Sequence, residues 1–403
     1  MVPIVDAGAR AAGTVARVRR LLVLVCGIVL VDTMLYAALT PLLPEYADEF
    51  GLSKGGAGLL VAVYAVGVLA GAFPAGLAAA RLGPKRVALG GLVVVAVASV
   101  VFAFAGDVWT LGVSRFVQGL GSALSWAGGL AWLISAAPRG RRGELLGTAL
   151  GAAIFGALLG PVVGAIASVV GTAPTFSAVA GLAVAIGLAG VRVPGVPGEE
   201  PSFAALRRAF GDRRFVGGLW LMTLPALLFG LLAVLASLDL SRLGWGAAAI
   251  GTVFFATAAV ETVVAPLVGR LVDRRGALLP VRIGLTAGIA VALGLAWAGD
   301  PFLIAGLALV ASVSWGTLFT PGMALLSAGA ENVGLPQALA FGLMNAAWAT
   351  GAMVGPSVGG ALGGVFGDPV AYGLGALACA ATLAVVTRMT SIGTRVARVP
   401  TSP

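Results

Sequence analysis

The sequence contains no histidine and only two cysteines. The absence of histidine excludes Ser-His and Cys-His catalytic pairs, histidine-ligated zinc or haem, and an imidazole proton relay. Cys26 and Cys379 both lie within apolar runs, so we interpret them as small packing residues rather than as a disulfide or a metal site. The sequence therefore predicts no enzyme of these classes, no cofactor and no metal.

Charge is also scarce, because charged residues make up 10% of the 403 residues and apolar residues make up 59%. A water-soluble domain of this size needs more charge to cover its surface. The net charge of +9 would favour nucleic-acid binding in a soluble protein. Here the basic residues cluster in short segments between apolar runs, a pattern that orients membrane proteins. We therefore expect an integral membrane protein that does not bind nucleic acid.

Twelve apolar runs are long enough to cross a bilayer, which takes about 20 residues per helix for about 30 Å of hydrocarbon. Because backbone groups inside hydrocarbon must be paired within their own segment, each run is predicted to be a helix. The predicted spans are 21–43, 57–80, 87–105, 109–137, 145–170, 174–191, 215–238, 247–268, 278–298, 302–328, 337–366 and 369–387.

The distribution of lysine and arginine predicts how these spans are oriented. Of the 25 lysines and arginines, only Lys54 and Arg242 lie in loops that follow odd-numbered spans, and Arg115 lies within a span. The other lysines and arginines lie in the terminal tails, or in or next to the loops that follow even-numbered spans. Because basic loops are retained on the cytoplasmic side, both termini are predicted to be cytoplasmic.

The longest loop, 192–214, separates two sets of six spans. It opens with PGVPGEEP, which predicts a flexible or extended segment. Phe203, Leu206 and Phe210 then share one helical face, which predicts a short amphipathic helix on the anionic inner leaflet. The opposite face carries Arg207, Arg208 and Arg214. The predicted domains are six-helix bundles over 1–191 and 215–403, joined by a cytoplasmic linker over 192–214.

The two sets of six spans show an internal repeat. The loop after the second span reads GLAAARLG (76–83), and the loop after the eighth reads GRLVDRRG (269–276). The fifth and eleventh spans both follow the pattern G-x8-G-x3-GP-xx-G. Its residues are Gly147, Gly156, Gly160, Pro161 and Gly164, and then Gly342, Gly351, Gly355, Pro356 and Gly359. A duplicated six-helix unit explains both repeats.

These motifs resemble the major facilitator superfamily, specifically its twelve-helix drug:proton antiporters. GRLVDRRG is similar to the superfamily's signature between the second and third helices. RFVQGLGSA (115–123) resembles its R-xx-QG-x-G-x-A motif in the fourth helix. The glycine-proline pattern of the fifth span resembles the motif typical of antiporters rather than symporters. The resemblance implies the twelve-helix major facilitator fold and alternating access between two pseudo-symmetric halves. It also implies that the motif residues take part in the conformational change. These residues are Gly76, Arg81, Gly83, Gly156, Gly160, Pro161, Gly164, Gly269, Asp273, Arg274, Gly276, Gly355 and Pro356.

The sequence departs from the family pattern at two positions. Ala80 replaces the aspartate that the family usually has in the first of the two loops, so this copy cannot make the contact that the aspartate makes. Ala165 replaces the last glycine of the antiporter motif. Alanine is small enough to preserve the row of small residues, or stripe, that the glycines form along the helix. Small-xxx-small stripes let helices approach closely in a bilayer. Tight packing alone and a moving role during transport are both open interpretations of these stripes.

Asp32, Arg115 and Glu261 stand out among the ionisable residues predicted inside hydrocarbon, where each costs on the order of 2.5–3.5 kcal/mol at a helix centre on insertion scales. The first of them is Asp32. It lies about eleven residues into the predicted first span, roughly 16 Å deep and near the midplane. Tyr36 follows one turn later on the same face. The resemblance implies that such an acid helps bind protons or cationic drugs. Pairing with Arg115 alone is the open alternative.

Arg115 is always charged and needs a carboxylate or carbonyl partner. Gln118, Ser122 and Trp126 share its helical face at i+3, i+7 and i+11. The resemblance implies that Arg115 modulates proton transfer by a nearby carboxylate, and a purely structural role is the alternative. Glu261, about eight residues from the next basic loop, is a second candidate for proton or cation binding, or for a structural pairing near the inner mouth.

Three residues of the second half are predicted to line the substrate cavity with Tyr36, Gln118 and Trp126. They are Asn345 and Trp348 in the eleventh span and Trp315 in the tenth. Membrane tryptophans also occur in lipid-interface belts and in packing, so that interpretation stays open.

The sparsely polar cavity favours export of a small amphipathic drug or metabolite in exchange for protons. Proton-coupled uptake of a small nutrient, such as a sugar or organic acid, is the alternative. The absence of histidine, of a G-xxxx-GK loop and of a soluble domain disfavours a membrane enzyme or sensor. We expect a monomer in a bacterial cytoplasmic membrane, whose partners are a small-molecule substrate, protons and the lipid bilayer.

Overall fold

The computed structural model describes residues 5–39, 42, 46, 49–51, 54–198, 200, 202–245 and 247–396. Within these ranges the chain forms helices and turns and no strand. The ends of both predicted bundles, 1–4 and 397–403, lie outside the described residues. The helices are α1 (Val5–Ala37), α2 (Lys54–Leu82), α3 (Pro84–Ala103), α4 (Val108–Ala136), α5 (Arg142–Val170), α6 (Thr172–Val191), α7 (Phe203–Ala209), α8 (Arg213–Arg242), α9 (Ala247–Arg275), α10 (Leu278–Ala296), α11 (Pro301–Gly316), α12 (Phe319–Val333), α13 (Gln337–Phe366) and α14 (Asp368–Val396).

Eleven helical stretches in the described chain are long and apolar enough to cross a membrane. They correspond to eleven of the twelve predicted spans, and α11 and α12 together form the tenth. The remaining span is α4, whose 29 residues are long enough to cross. Its arginine, glutamine and serines lower its hydropathy, and most of them are buried inside the protein. The prediction of an all-helical membrane protein is confirmed, and twelve spans are consistent with these helices.

Proline explains two departures of the helices from the predicted spans. Helix α1 ends at Ala37 rather than at residue 43, and the tenth span is interrupted between Gly316 and Phe319. The ring of a proline clashes with the carbonyl of the residue four positions earlier. The first helix ends four residues before Pro41, and the interruption lies four residues before Pro321.

The internal repeat is visible in the backbone of the two repeated loops. Gly83, between α2 and α3, has a φ of +92°, and Gly276, between α9 and α10, has a φ of +79°. Glycine adopts this region without the steric cost that other residues incur. The last glycine of each loop motif therefore permits the sharp reversal between consecutive helices.

The repeat is also visible where the glycine stripes pack. The stripe of α5 lies on α1, and the Thr33 hydroxyl crosses this contact to donate to the Ala153 carbonyl at 2.6 Å. The stripe of α13 lies on α8, where the Thr223 hydroxyl donates to the Ala347 carbonyl at 3.0 Å. Each stripe thus joins two helices of one half, as the tight-packing interpretation requires. A moving role stays a prediction.

Two seams join the first six spans to the last six. In one seam α2 meets α13, and a Cβ atom at Gly76 would lie 2.9 Å from the Ala338 carbonyl oxygen. In the other, α5 meets α9, and a Cβ atom at Gly143 would lie 2.7 Å from the Gly269 carbonyl oxygen. Both contacts lie toward one end of the molecule, which we call the basic end. It carries Arg81, Lys85, Arg86, Arg141, Arg142, Arg270, Arg274 and Arg275.

The linker lies along the basic end of the first six spans. Lys85 Nζ donates to the carbonyls of Val191 and Val193 at 2.8 and 2.7 Å. Trp132 Nε1 donates to the Pro194 carbonyl at 3.0 Å. These bonds satisfy carbonyls at the end of α6 and fix the first residues of the linker.

Helix α7 is the short helix predicted in the linker. Ala205 and Ala209 are buried, whereas Phe203 and Phe210 are 71% and 54% exposed. Its Arg208 donates to the Val333 carbonyl at 3.2 Å, which ties the linker to the end of α12. The predicted contact of the phenylalanine face with lipid stays a prediction.

Candidate functional site

Asp32 is buried near the end of α1, with a relative exposure of 1%. Its Oδ2 accepts hydrogen bonds from the Ser122 hydroxyl at 2.7 Å, from Trp126 Nε1 at 2.9 Å and from the Tyr64 hydroxyl at 3.5 Å. Its Oδ1 is buried without a hydrogen-bond partner. Helix α1 ends earlier than predicted, which places Asp32 near its end. The carboxylate nevertheless lies far from both ends of the bundle, because its partner Ser122 is at the middle of α4.

Arg115 is also buried, and its partners are carbonyls and an amide. It donates to the Leu35 and Tyr36 carbonyls at 3.4 and 3.2 Å and to Gln118 Oε1 at 2.9 Å. Carbonyls in the last turn of a helix have no intrahelical partner, and a cation is favourable there. Among the described residues no ion pair within 4.0 Å joins Arg115 to Asp32. The predicted need for a carbonyl partner is met at the end of α1.

Tyr64 of α2 is the site residue that the sequence reading missed. Its ring lies 4.9 Å from the guanidinium carbon of Arg115 and 4.7 Å from the ring of Tyr36. One turn later, Gly67 brings the backbone of α2 against Gly119 of α4. This glycine is the signal in the sequence that could have placed Tyr64 beside the polar face of α4.

Two predicted cavity residues of α13 reach this site from the second half. Trp348, like Tyr36, packs against the apolar cluster that contains Tyr64, and the buried amide of Asn345 donates to the Ala123 carbonyl of α4 at 3.4 Å. The structure therefore brings together residues from four helices, α1, α2, α4 and α13. The site joins one carboxylate and one guanidinium to several aromatic rings.

Trp315 lies apart from this group. It is fully buried against Gly288 of α10, and its ring meets the ring of Phe229 edge-on at 6.1 Å. These contacts place it in the core of the second half, where it fills space between helices. The predicted cavity role of Trp315 does not fit this packing, and we leave it out of the candidate site.

Glu261 lies in the middle of α9 rather than near the inner mouth. It is half-buried beside Gly316, where α11 ends, and the Ser312 hydroxyl lies 3.5 Å from its Oε2. No lysine or arginine nitrogen of the described chain lies within 4.0 Å of its carboxylate. The structure therefore does not provide the pairing considered from the sequence, and Glu261 does not join the group around Asp32.

The second repeated loop closes the seam between α5 and α9. Asp273 accepts hydrogen bonds from the backbone N–H groups of Gly143 at 2.9 Å and of Glu144 at 2.7 Å. A carboxylate there satisfies unpaired N–H groups and complements the positive end of the helix dipole. Arg142 extends this contact to Glu331 at 2.5 Å, whereas the motif residues Arg81 and Arg274 are exposed.

The first repeated loop has no such cap, as the sequence predicted. Ala80 is buried at the corresponding position, and a cavity of about 460 Å³ lies beside it. Pro336, which precedes α13, makes no side-chain cap. Both seams are therefore held by close backbone packing, and the α5–α9 seam is held by a carboxylate as well.

Replacing Asp273 with alanine is expected to loosen the α5–α9 seam. Loss of a capping side chain costs about 0.5–2 kcal/mol, and buried donors are left unpaired. Deuterium uptake should therefore rise in residues 143–151 and 262–269, as measured by hydrogen exchange with mass spectrometry. Asp300→Ala is the control, because Asp300 caps α11 within one half by accepting from the Leu303 N–H. Equal uptake in the two variants would contradict this account of the seam.

Comparisons with known proteins agree with this architecture. The family model described as Major Facilitator Superfamily matches residues 25–339. An MFS-type transporter, ppzB, of Metarhizium rileyi is 34% identical over 122 residues, which is 29% of this chain and 25% of that protein. A probable vesicular acetylcholine transporter-B of Danio rerio is 34% identical over 128 residues, covering 28% of this chain and 25% of its own length. The matched region spans about a quarter of these curated relatives.

Solved structures share the fold over nearly the whole chain. The human organic anion transporter MFSD10 superposes with a TM-score of 0.74 at 18% identity, covering 92% of this chain and 99% of that one. The proton:xylose symporter XylE superposes with a TM-score of 0.71 at 15% identity, covering 93% and 96%. At these identities the likeness shows the fold alone.

Proposed function

Because the chain belongs to the Major Facilitator Superfamily and is a membrane transporter rather than an enzyme, we propose that it exports a small amphipathic compound in exchange for protons. Asp32 is the proposed proton-binding residue. Arg115 adjusts its affinity for the proton, and Tyr36, Gln118, Trp126, Asn345 and Trp348 form the proposed substrate site.

One observation carries this proposal: the buried carboxylate of Asp32 has no cationic partner within 4.0 Å in the described chain. An unpaired ionised group inside a bilayer is costly, so a carboxylate held in this way tends to take up a proton or a cation. Three donors occupy Oδ2, and the bare Oδ1 is free to take the proton.

Alternating access follows from the two halves and their seams. In facilitators, substrate and coupling ions bind near the midplane, and one half rocks against the other. The two predicted bundles, 1–191 and 215–403, are the proposed moving bodies, and 192–214 is the flexible connection. The glycine stripes of α5 and α13 each join two helices of one half, so they hold each proposed moving body together. Glu261 is a proposed second proton site, in the other half.

The proposed setting is the cytoplasmic membrane of a bacterium, with the protein monomeric and both termini cytoplasmic. The asymmetry of lysine and arginine between the two sets of loops supports this orientation. The exposed Phe203 and Phe210 of α7, beside exposed arginines, support contact of the linker with the anionic inner leaflet.

Proton movement in reconstituted vesicles tests the proposal. Purified protein is placed in liposomes with an acidic lumen and a pH-sensitive dye, and a panel of lipophilic cations and neutral drugs is added outside. Antiport predicts that a transported compound enters as protons leave, so the lumen becomes less acidic. Protein-free liposomes correct for passive entry of weak bases.

The sign of the change separates the two directions of coupling. The uptake alternative predicts that protons and the compound cross in the same direction, so external addition of a sugar or organic acid would acidify the lumen. No proton movement with any compound would contradict the proton-coupled export proposed here.

A further inference from the structure

Tyr64 is the common neighbour of the two buried charged groups. Its hydroxyl lies 3.5 Å from Asp32 Oδ2, and the guanidinium carbon of Arg115 lies 4.9 Å from its ring centroid. All three side chains are at most 5% exposed. Since Asp32 and Arg115 make no ion pair within 4.0 Å, the tyrosine is in contact with both charges while they remain apart.

The same tyrosine touches the second half. Tyr64 and Val68 of α2 form a small apolar cluster with Ala349 of α13, and Trp348 packs against it. Farther along α2, Gly76 meets the backbone of α13 in the seam at the basic end. Movement of α13 away from α2 would therefore remove one side of the packing around Tyr64.

We infer that Tyr64 transmits the protonation state of Asp32 to the contact between α2 and α13. This inference rests on the proposed proton coupling at Asp32. When Asp32 is ionised, the Tyr64 hydroxyl faces a charged acceptor at 3.5 Å, and this attraction is stronger than the one to a neutral carboxyl oxygen. The guanidinium of Arg115 holds the ring from its face. Both interactions keep Tyr64 in place in its cluster with Ala349 of α13, and the seam stays closed.

Protonation of Asp32 weakens one of these two interactions. The proton binds to Oδ1, which has no other partner, and Oδ2 becomes a neutral acceptor shared by Ser122, Trp126 and Tyr64. Tyr64 is then held less firmly, and α13 can separate from α2 at a lower cost.

The other groups that face Asp32 do not change charge with it. Helix α4 presents Arg115, whose guanidinium is a permanent charge in proteins, together with the neutral donors Ser122 and Trp126. Tyr36 lies on α1 itself, and α13 presents the neutral Trp348 and Asn345. Helix α5 meets this part of α1 through Ala153 and Gly156. Within the described chain, Asp32 is therefore the carboxylate whose charge Tyr64 senses.

A distance measurement between spin labels tests the inference without a substrate. Leu82 and Arg275 are the exposed last residues of α2 and α9, at the basic end of each half. Both are replaced with cysteine in the full chain, after Cys26→Ser and Cys379→Ala, and the labelled protein is studied in lipid nanodiscs at about pH 5 and about pH 9. The parent protein is compared with Asp32→Asn, Tyr64→Phe and Tyr372→Phe. Tyr372 is the matched control, because its buried hydroxyl has no hydrogen-bond partner and it lies in α14.

We expect the parent and Tyr372→Phe to gain a longer distance at the lower pH, and Asp32→Asn and Tyr64→Phe to lose this shift. A full pH response in Tyr64→Phe, with the response lost in Asp32→Asn, would overturn the role of Tyr64 and leave proton coupling at Asp32 intact. A parent that does not respond to pH, or a response that survives in Asp32→Asn, would overturn the proposed coupling at Asp32 and the role of Tyr64 with it. Retained far-ultraviolet circular dichroism and thermal stability show that each variant is folded.

Discussion

Asp32→Asn is expected to abolish substrate-dependent proton movement, down to the background of protein-free liposomes. Asparagine has nearly the volume of aspartate, and its amide oxygen can still accept hydrogen bonds from Ser122 and Trp126. It cannot bind and release a proton in the working pH range. The variant should therefore fold and bind substrate, yet lose the coupling of substrate movement to the proton gradient.

The control for this variant is Asp107→Asn, which makes the same chemical change at an exposed position. Asp107 caps α4 by accepting from the N–H groups of Trp109 and Thr110, both at 2.9 Å. Asparagine is about as good as aspartate at such a cap, so proton movement should match that of the parent. Normal proton movement in Asp32→Asn would refute the assignment of Asp32 and shift attention to Glu261.

Gly119→Leu is expected to prevent α2 and α4 from packing and to have the largest effect on stability. A Cβ atom at Gly119 would overlap the Tyr64 carbonyl oxygen and would lie 2.9 Å from the Val68 nitrogen. Because these are backbone atoms, no rotamer change relieves the overlap. Overpacking costs typically about 1–3 kcal/mol and more where the backbone must move. We expect aggregated or strongly destabilised protein in size-exclusion chromatography and in thermal unfolding.

Gly112→Leu provides a matched control in the same helix. A Cβ atom at Gly112 would meet nothing within 4 Å, so the new side chain extends into open space. Leucine is a better helix former than glycine by roughly 0.5–1 kcal/mol, so this variant should be at least as stable as the parent. Equal behaviour of the two variants would contradict the close approach of α2 and α4, and with it the position of Tyr64.

The sequence alone determined the membrane fold, because composition and the length of apolar runs are strong physical constraints on a chain in a bilayer. It also determined the polar face of α4, because residues at i, i+3, i+7 and i+11 of a helix point the same way. Gln118 does bond to Arg115, and Ser122 and Trp126 do bond to Asp32. The loop motif with Asp273 likewise marked a residue whose contact with another helix the structure then supplied.

Only the tertiary structure decided which helices meet around the predicted charges. Helical periodicity shows which residues of one helix share a face, but it does not show what that face meets. Asp32 and Arg115 were open to pairing from the sequence, and the packing instead places Arg115 on the carbonyls at the end of α1 and Tyr64 beside both. Trp315 was predicted to line the cavity because the sequence does not show what its helix face meets. Helix packing buries it in the core of the second half. Contacts between helices depend on backbone approach, which the glycines permit but the spacing of residues along one chain does not specify.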